Sequence, residues 1–155
     1  MDIPAYLIVA GHHPIYSIAE HGSQQFMIDQ ILPVMIEHKA QLYIRKTSFM
    51  DSHLLGIWFY RRERQFFFSN GHDHQVQYIT NSRGMTFVTS GGATVPNPSR
   101  SSRSELRQYD ATSEFFWARG GCYTHYVATA TELKVSFIEA KEDNVLYQVI
   151  IPKRV

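Results

Sequence analysis

The stretch Asn70-Gly71-His72-Asp73-His74-Gln75-Val76-Gln77-Tyr78 decides how this chain is read. Its two histidines stand at alternate positions, a spacing that points side chains in very different directions on a helix. From a loop or a strand end, both imidazoles can aim into one site. Far upstream, Ala10-Gly11-His12-His13-Pro14-Ile15-Tyr16-Ser17 repeats the design with an apolar run, a glycine, histidine and a proline that stops the run. Three histidines, His12, His72 and His74, at the ends of two apolar runs point to a metal site.

Composition narrows what such a site can be. With 155 residues, 44% of them hydrophobic, the chain fits one domain with a real core. A net charge of +1 with eight histidines counted neutral gives no reason to invoke a nucleic-acid surface or a polybasic membrane anchor. The single cysteine, Cys122, excludes an internal disulfide framework and a thiolate zinc site, so any metal is held by nitrogen and oxygen. The first ten residues lack a basic region, and their apolar run ends in Gly-His-His-Pro instead of a small-residue cleavage site. No signal peptide and no membrane span are expected.

Around the histidines, the sequence predicts alternating short elements. Ala5 to Ala10 reads as a strand buried on both faces of a sheet, which places His12 just past a strand's carboxyl end, where open α/β sheets bind ligands. Ile15 to Gly22 is too polar for a core element and reads as a surface loop over the sheet edge, carrying Glu20 and His21. Ser23 can cap a helix from about Gln24 to Lys39 that Pro33 kinks or restarts. Gln41 to Ile44 follows as a second strand, parallel to the first. From Tyr78 on the texture is all-β, with strands over Met85–Thr89, Cys122–Ala128, Glu132–Glu139 and Val145–Ile151. Leu133, Val135, Phe137 and Glu139 alternate with Lys134, Ser136 and Ile138, as on a half-buried strand, and Gly91–Arg107 reads as a mobile surface loop. Residues 45–69 break this logic by mixing Arg61, Arg62 and Arg64 with Trp58, Tyr60 and Phe66-Phe67-Phe68. Basic residues interleaved with aromatics can stack on single-stranded nucleic acid, but the near-neutral chain favours an inserted loop or hairpin packed on the body.

At its two histidine motifs the sequence resembles the calcineurin-like metallophosphoesterases, and more closely the small purple acid phosphatases of the tartrate-resistant, type 5 class. Val9-Ala10-Gly11-His12-His13-Pro14-Ile15-Tyr16-Ser17-Ile18-Ala19-Glu20-His21-Gly22 is similar to that family's fourth motif, and Gly71-His72-Asp73-His74 with Gln77-Tyr78 to its fifth. The tail from Gly120-Gly121 through Leu133–Ala140 resembles the family's closing strands. The resemblance implies an α/β fold: the carboxyl-terminal half of a metallophosphoesterase β-sandwich flanked by helices, with one strand-helix-strand unit followed by mostly antiparallel strands. Residues 1–155 would then be a partial domain, with 45–69 as an insertion, either a lineage-specific loop or a translated retained intron.

The same resemblance implies an acid phosphatase, which hydrolyses phosphate monoesters at a dinuclear metal centre of iron with iron, zinc or manganese. His12 and His72 would bind the divalent metal and His74 the ferric ion. His21 would lie outside the ligand set and orient substrate or protonate the leaving alkoxide. Asp73 would be a hydrogen-bond acceptor, and His13, His38, His53 and His125 would bind no metal. Family members are mostly secreted or lysosomal. The family's Gly-Asp-x-Gly, Gly-Asp-Asn and Gly-Asn-His motifs, which carry its aspartates and asparagine, do not occur in this sequence. The missing partner would be an amino-terminal half carrying those ligands. The competing expectations are a catalytically inactive fragment binding at most one metal ion, and an interaction module built on the arginine- and aromatic-rich stretch.

Overall fold

Short β-branched and aromatic runs, each four to eight residues long, form two sheets in the computed structural model, which describes residues 6–45, 64–68, 75–91 and 104–153. The first sheet contains β1 (Ile8–Gly11), β2 (Leu42–Arg45), β5 (Thr86–Ser90), β4 (Val76–Asn81) and β6 (Ala111–Trp117), in that spatial order. The second contains β3 (Arg64–Phe68), β7 (Cys122–Ala128), β8 (Glu132–Glu139) and β9 (Val145–Pro152). β1, β2 and β5 run parallel, and every other pairing is antiparallel. The fold is α/β: one strand-helix-strand unit, then mostly antiparallel strands.

Alternation along the central strands explains why the first sheet is buried on both faces. Leu42, Ile44, Val76, Tyr78 and Val88 point one way and pack on Tyr126, Leu133, Val135, Phe137 and Ile151 of the second sheet. Tyr43, Ile79 and Phe87 point the other way, into a core closed by Ile15, Tyr16, Ile18, Leu32, Met35 and Leu106. The inter-sheet core includes a stacked pair, Phe115 and Tyr147, with ring centroids 4.9 Å apart at 7°.

The helical segment is split in two, α1 (Gln25–Gln30) and α2 (Leu32–Glu37). Pro33 lies in the first turn of α2, where a missing N–H costs no hydrogen bond, so the proline restarts the helix instead of kinking a continuous one. Ser23 does not cap α1: Gln24 holds the cap position with no side-chain bond, and the Ser23 hydroxyl instead accepts the Ser17 N–H at 3.2 Å.

Four expectations need correction. β1 is an edge strand, hydrogen-bonded within the described residues only to β2, so its residues are at best half-buried instead of enclosed on both faces. Ile15 to Ala19 is no surface loop: Ile15, Ile18 and Ala19 are completely buried, because they roof the helix-side core. The last four residues of the expected 91–107 loop form a short helix, α3 (Ser104–Arg107), anchored by buried Leu106. In β8, Ser136 and Ile138 are buried along with the expected residues, since this central strand is covered more fully than an alternating one. β6 carries a pattern that sequence reading left unassigned. The end of the 45–69 stretch, Arg64–Phe68, pairs with β7 as the edge strand of the second sheet, and Arg45 closes β2; the remainder of that stretch lies outside the described residues.

Burial pushes the Cys122 thiol up to about 12, with the Glu139 carboxylate adding to the effect. Because the thiolate is the reactive form, the native protein should resist alkylation at neutral pH. Mass spectrometry after iodoacetamide treatment should show an unmodified chain in buffer and one adduct in denaturant; rapid native labelling would mean that the sheet interface at Cys122 opens easily.

Candidate functional site

His12 follows immediately after β1, at the edge of the sheet formed by the carboxyl ends of β1, β2 and β5. The backbone that carries it is held by one side chain. Tyr43, on β2, donates its hydroxyl to the His13 carbonyl at 2.7 Å, and its ring crosses directly over Gly11. A Cβ at residue 11 would collide with the Tyr43 hydroxyl and lie 2.9 Å from its Cζ, so the glycine is required by the latch and not by a turn. Pro14 is buried behind this point. The His12 and His13 rings meet edge-on, centroids 4.7 Å apart.

Beyond Pro14 the chain turns inward, and its polar groups are met by Gln77 on β4. The Ile18 N–H donates to Gln77 Oε1 at 2.9 Å, Gln77 Nε2 donates to Ser17 Oγ at 2.9 Å, and the same hydroxyl accepts the Ala19 N–H at 3.0 Å. The loop closes when the Gln24 N–H reaches the Ile15 carbonyl at 3.2 Å. Its outer turn, Ala19 to Gly22, carries Glu20 and His21 to the exposed surface, with Gly22 supplying a φ of +63°. His21 therefore sits on a mobile-looking sequence that is in fact anchored from below.

His72 and His74 lie outside the described residues, as does Asp73. The chain re-enters at Gln75, whose carbonyl accepts the Gly91 N–H at 3.0 Å, and β4 then runs antiparallel to β5. The start of β4 is thus on the same sheet edge as His12. β2 neighbours β1 as expected, and β2 and β5 lie between β1 and β4. Three strand spacings of about 4.8 Å separate the two by roughly 14 Å. Among the described residues no three His, Cys, Asp or Glu side chains gather where they could hold a metal ion. Of the three expected histidine ligands the described residues include His12 alone, and they complete no metal site by themselves. Nothing in the sequence marks Tyr43, and Gln77 enters only as part of the second histidine motif, without its anchoring role.

Comparison with known proteins gives the same direction over nearly the whole length. The chain is 28% identical over 150 residues to tartrate-resistant acid phosphatase type 5 of Sus scrofa, covering 96% of this chain and 36% of that protein. It is 25% identical over 154 residues to the Homo sapiens protein of the same name, with 38% of that protein covered, and 27% identical over 146 residues to purple acid phosphatase 7 of Arabidopsis thaliana, with 35% covered. It thus spans a little over a third of the length of the curated relatives it matches. No family model matches the chain. Among solved structures, GAP50, the anchor in the inner membrane complex of Plasmodium, superposes with a TM-score of 0.71 at 19% identity, over 99% of this chain and 38% of that one. A purple acid phosphatase from yellow lupin (Lupinus luteus) seeds gives 0.55 at 12% identity, over 95% of this chain and 25% of that one. Both share the fold.

The latch and the loop anchor are separable by mutation. Gly11→Ala should destabilise the chain by roughly 1–3 kcal/mol, because the Tyr43 ring must be displaced. Gln77→Leu should cost at least about 2 kcal/mol, since the Ile18 N–H and the Ser17 hydroxyl are left buried without partners. Urea unfolding checks both; a Gln77→Leu midpoint equal to that of the unmodified protein would show that the loop does not depend on the carboxamide.

Proposed function

We propose that this chain carries the imidazole portion of the active centre of an acid phosphatase acting on phosphate monoesters. The observation that carries this reading is the latched strand end: a glycine kept bare so that a tyrosine can fix the carbonyl next to His12. That arrangement makes sense if the imidazole must be aimed before its ligand arrives. The similarity to tartrate-resistant and purple acid phosphatases supplies the chemistry.

In this reading His12, His72 and His74 hold a dinuclear centre of iron with iron, zinc or manganese; when bound, such a centre neutralises phosphoryl oxygens and provides a water nucleophile. His12 presents one ring nitrogen from the rigid strand end. His72 and His74, which precede β4 in the sequence, would supply the other two imidazoles. His21, carried on the turn above the Gln77 anchor, orients the ester and passes a proton from its imidazolium to the leaving alkoxide oxygen.

The sequence contains no Gly-Asp or Gly-Asn pair, so the family's bridging carboxylate has no counterpart here. Two cations at close range in a poorly screened site repel each other strongly without such a bridge. The same lack favours the second reading, a catalytically inactive form that binds at most one ion through three imidazoles. On either reading the three histidines act as one ligand set. Calorimetric titration with Zn²⁺ should give two ions per chain on the first reading and one on the second, in either case weakened at least about tenfold by His12→Ala and by His74→Ala. The chain by itself should hydrolyse p-nitrophenyl phosphate no faster than its His72→Ala/His74→Ala variant. Zinc affinity indifferent to His12 would overturn the shared site, and metal-dependent turnover lost in the double variant would show that the chain is a self-sufficient phosphatase.

A further inference from the structure

At the opposite edge of the first sheet, where β2 and β5 begin, the structure holds a cleft of about 290 Å³. Three cationic residues from three different elements line it: Lys39 after α2, Arg83 in the β4–β5 turn, and Lys153 after β9. No Asp or Glu is among its lining residues. Its remaining walls are largely apolar, with Ile36 from α2, Met85 before β5, and Ile151 and Pro152 at the end of β9. Gln41 adds a polar group. Its Oε1 accepts the Leu7 N–H at 2.8 Å, which fixes the carboxamide and leaves Nε2 as a further donor at the cleft wall.

Two backbone features fix the points from which Lys39 and Arg83 extend. Lys39 has a φ of +51°, at a helix end where glycine or asparagine is the usual occupant. Its position is fixed by its own N–H bonded to the Ile36 carbonyl at 3.0 Å, and by the Ala40 N–H bonded to the Met35 carbonyl at 2.8 Å. A lysine there also suits the negative end of a helix, which accounts for one of the three charges. It does not account for Arg83, whose turn is pinned by the Asn81 side chain accepting the Arg83 and Met85 N–H groups at 3.1 and 3.0 Å. Nor does it account for Lys153. Arg83 also lies close enough to the buried Tyr16 hydroxyl to lower its pKa against the dominant effect of burial.

We propose that this cleft is a binding site for a small soluble organic anion with a phosphoryl head and a compact apolar body, separate from the histidine edge. Cations on three sides match the spread charge of a phosphoryl group, and the guanidinium of Arg83 offers a planar pair of donors. The apolar wall formed by Met85, Ile151 and Pro152 favours an ester or phosphonate over the bare inorganic ion. The volume is near the lower end of the range for small-molecule pockets, roughly 300–1,000 Å³, which suits a ligand of few atoms. This assignment is independent of the phosphatase reading, since the two sites lie at opposite ends of the same strands.

Calorimetric titration of the full chain, with chelator present, tests it using phenylphosphonate and inorganic phosphate as probes. One phenylphosphonate should bind per chain, more tightly than phosphate, and its Kd should rise about tenfold in Arg83→Gln and in Lys153→Gln. Both residues are exposed and lie on separate elements, so unchanged thermal unfolding should accompany the loss. Affinity equal in the unmodified chain and both variants would overturn the proposal. So would a Kd that rises in the His72→Ala/His74→Ala variant instead, which would put the anion at the histidine edge. Absence of phenylphosphonate binding alongside capture by phosphatidylcholine vesicles containing phosphatidic acid would overturn it in favour of a lipid surface.

Discussion

A buried loop has to satisfy its own backbone, and here one buried carboxamide ties the loop to the sheet. Residues 15–19 contribute side chains to the helix-side core, which takes their N–H and C=O groups away from water, where each unpaired group costs roughly 1–3 kcal/mol. Gln77, itself fully buried on β4, meets one of those N–H groups and fixes the serine that meets another. Everything above the loop inherits its position from this contact. The outer turn with His21 rests on it, and α1 begins where the loop closes. The direction in which the chain leaves His12 is set by it and by the Tyr43 latch together.

The two sheet edges divide the chemistry between them. Where the parallel strands end, the polypeptide presents histidine, and the supporting side chains, Tyr43 and Gln77, come from strands deeper in the sheet. Where those strands begin, it presents lysine and arginine over apolar walls. The division follows from the parallel arrangement. Strands running in one direction gather all their leading residues at one edge and all their trailing residues at the other, so loops with different compositions give two chemically distinct ends.

Much of this was legible in the sequence. The strands β7, β8 and β9 follow β-branched runs bounded by turn residues, and their limits are read almost to the residue because no competing pattern exists there. The parallel pairing of β1 with β2 follows from a strand-helix-strand rhythm that admits few alternatives. Less legible was the loop at 15–22, whose serine, glutamate, histidine and glycine look solvent-facing. Its burial depends on Gln77, 59 residues after Ile18, and such a partnership leaves no local periodicity. The latch is hidden for a similar reason: Gly11 looks like a turn glycine, and only the position of Tyr43 on the adjacent strand shows why it must lack a side chain. His12 and His21 could be named from their motifs, but the separation of β1 from β4 by two strands could not, since strand order is not written in strand composition.

The strand order also bears on how the chain reaches this state. The β7–β8–β9 meander and the β4–β5 hairpin join neighbours across short connections, so their contacts form at little loop-closure cost. β2 meets β5 only after 40 intervening residues, Arg45 to Thr86, have been brought back, and β1 depends on β2 in turn. Non-local parallel pairing is intrinsically slow. The edge that carries His12 is therefore tied to the rest of the first sheet by its costliest loop closure, and the backbone beside that histidine is latched only when Tyr43 on β2 is in place.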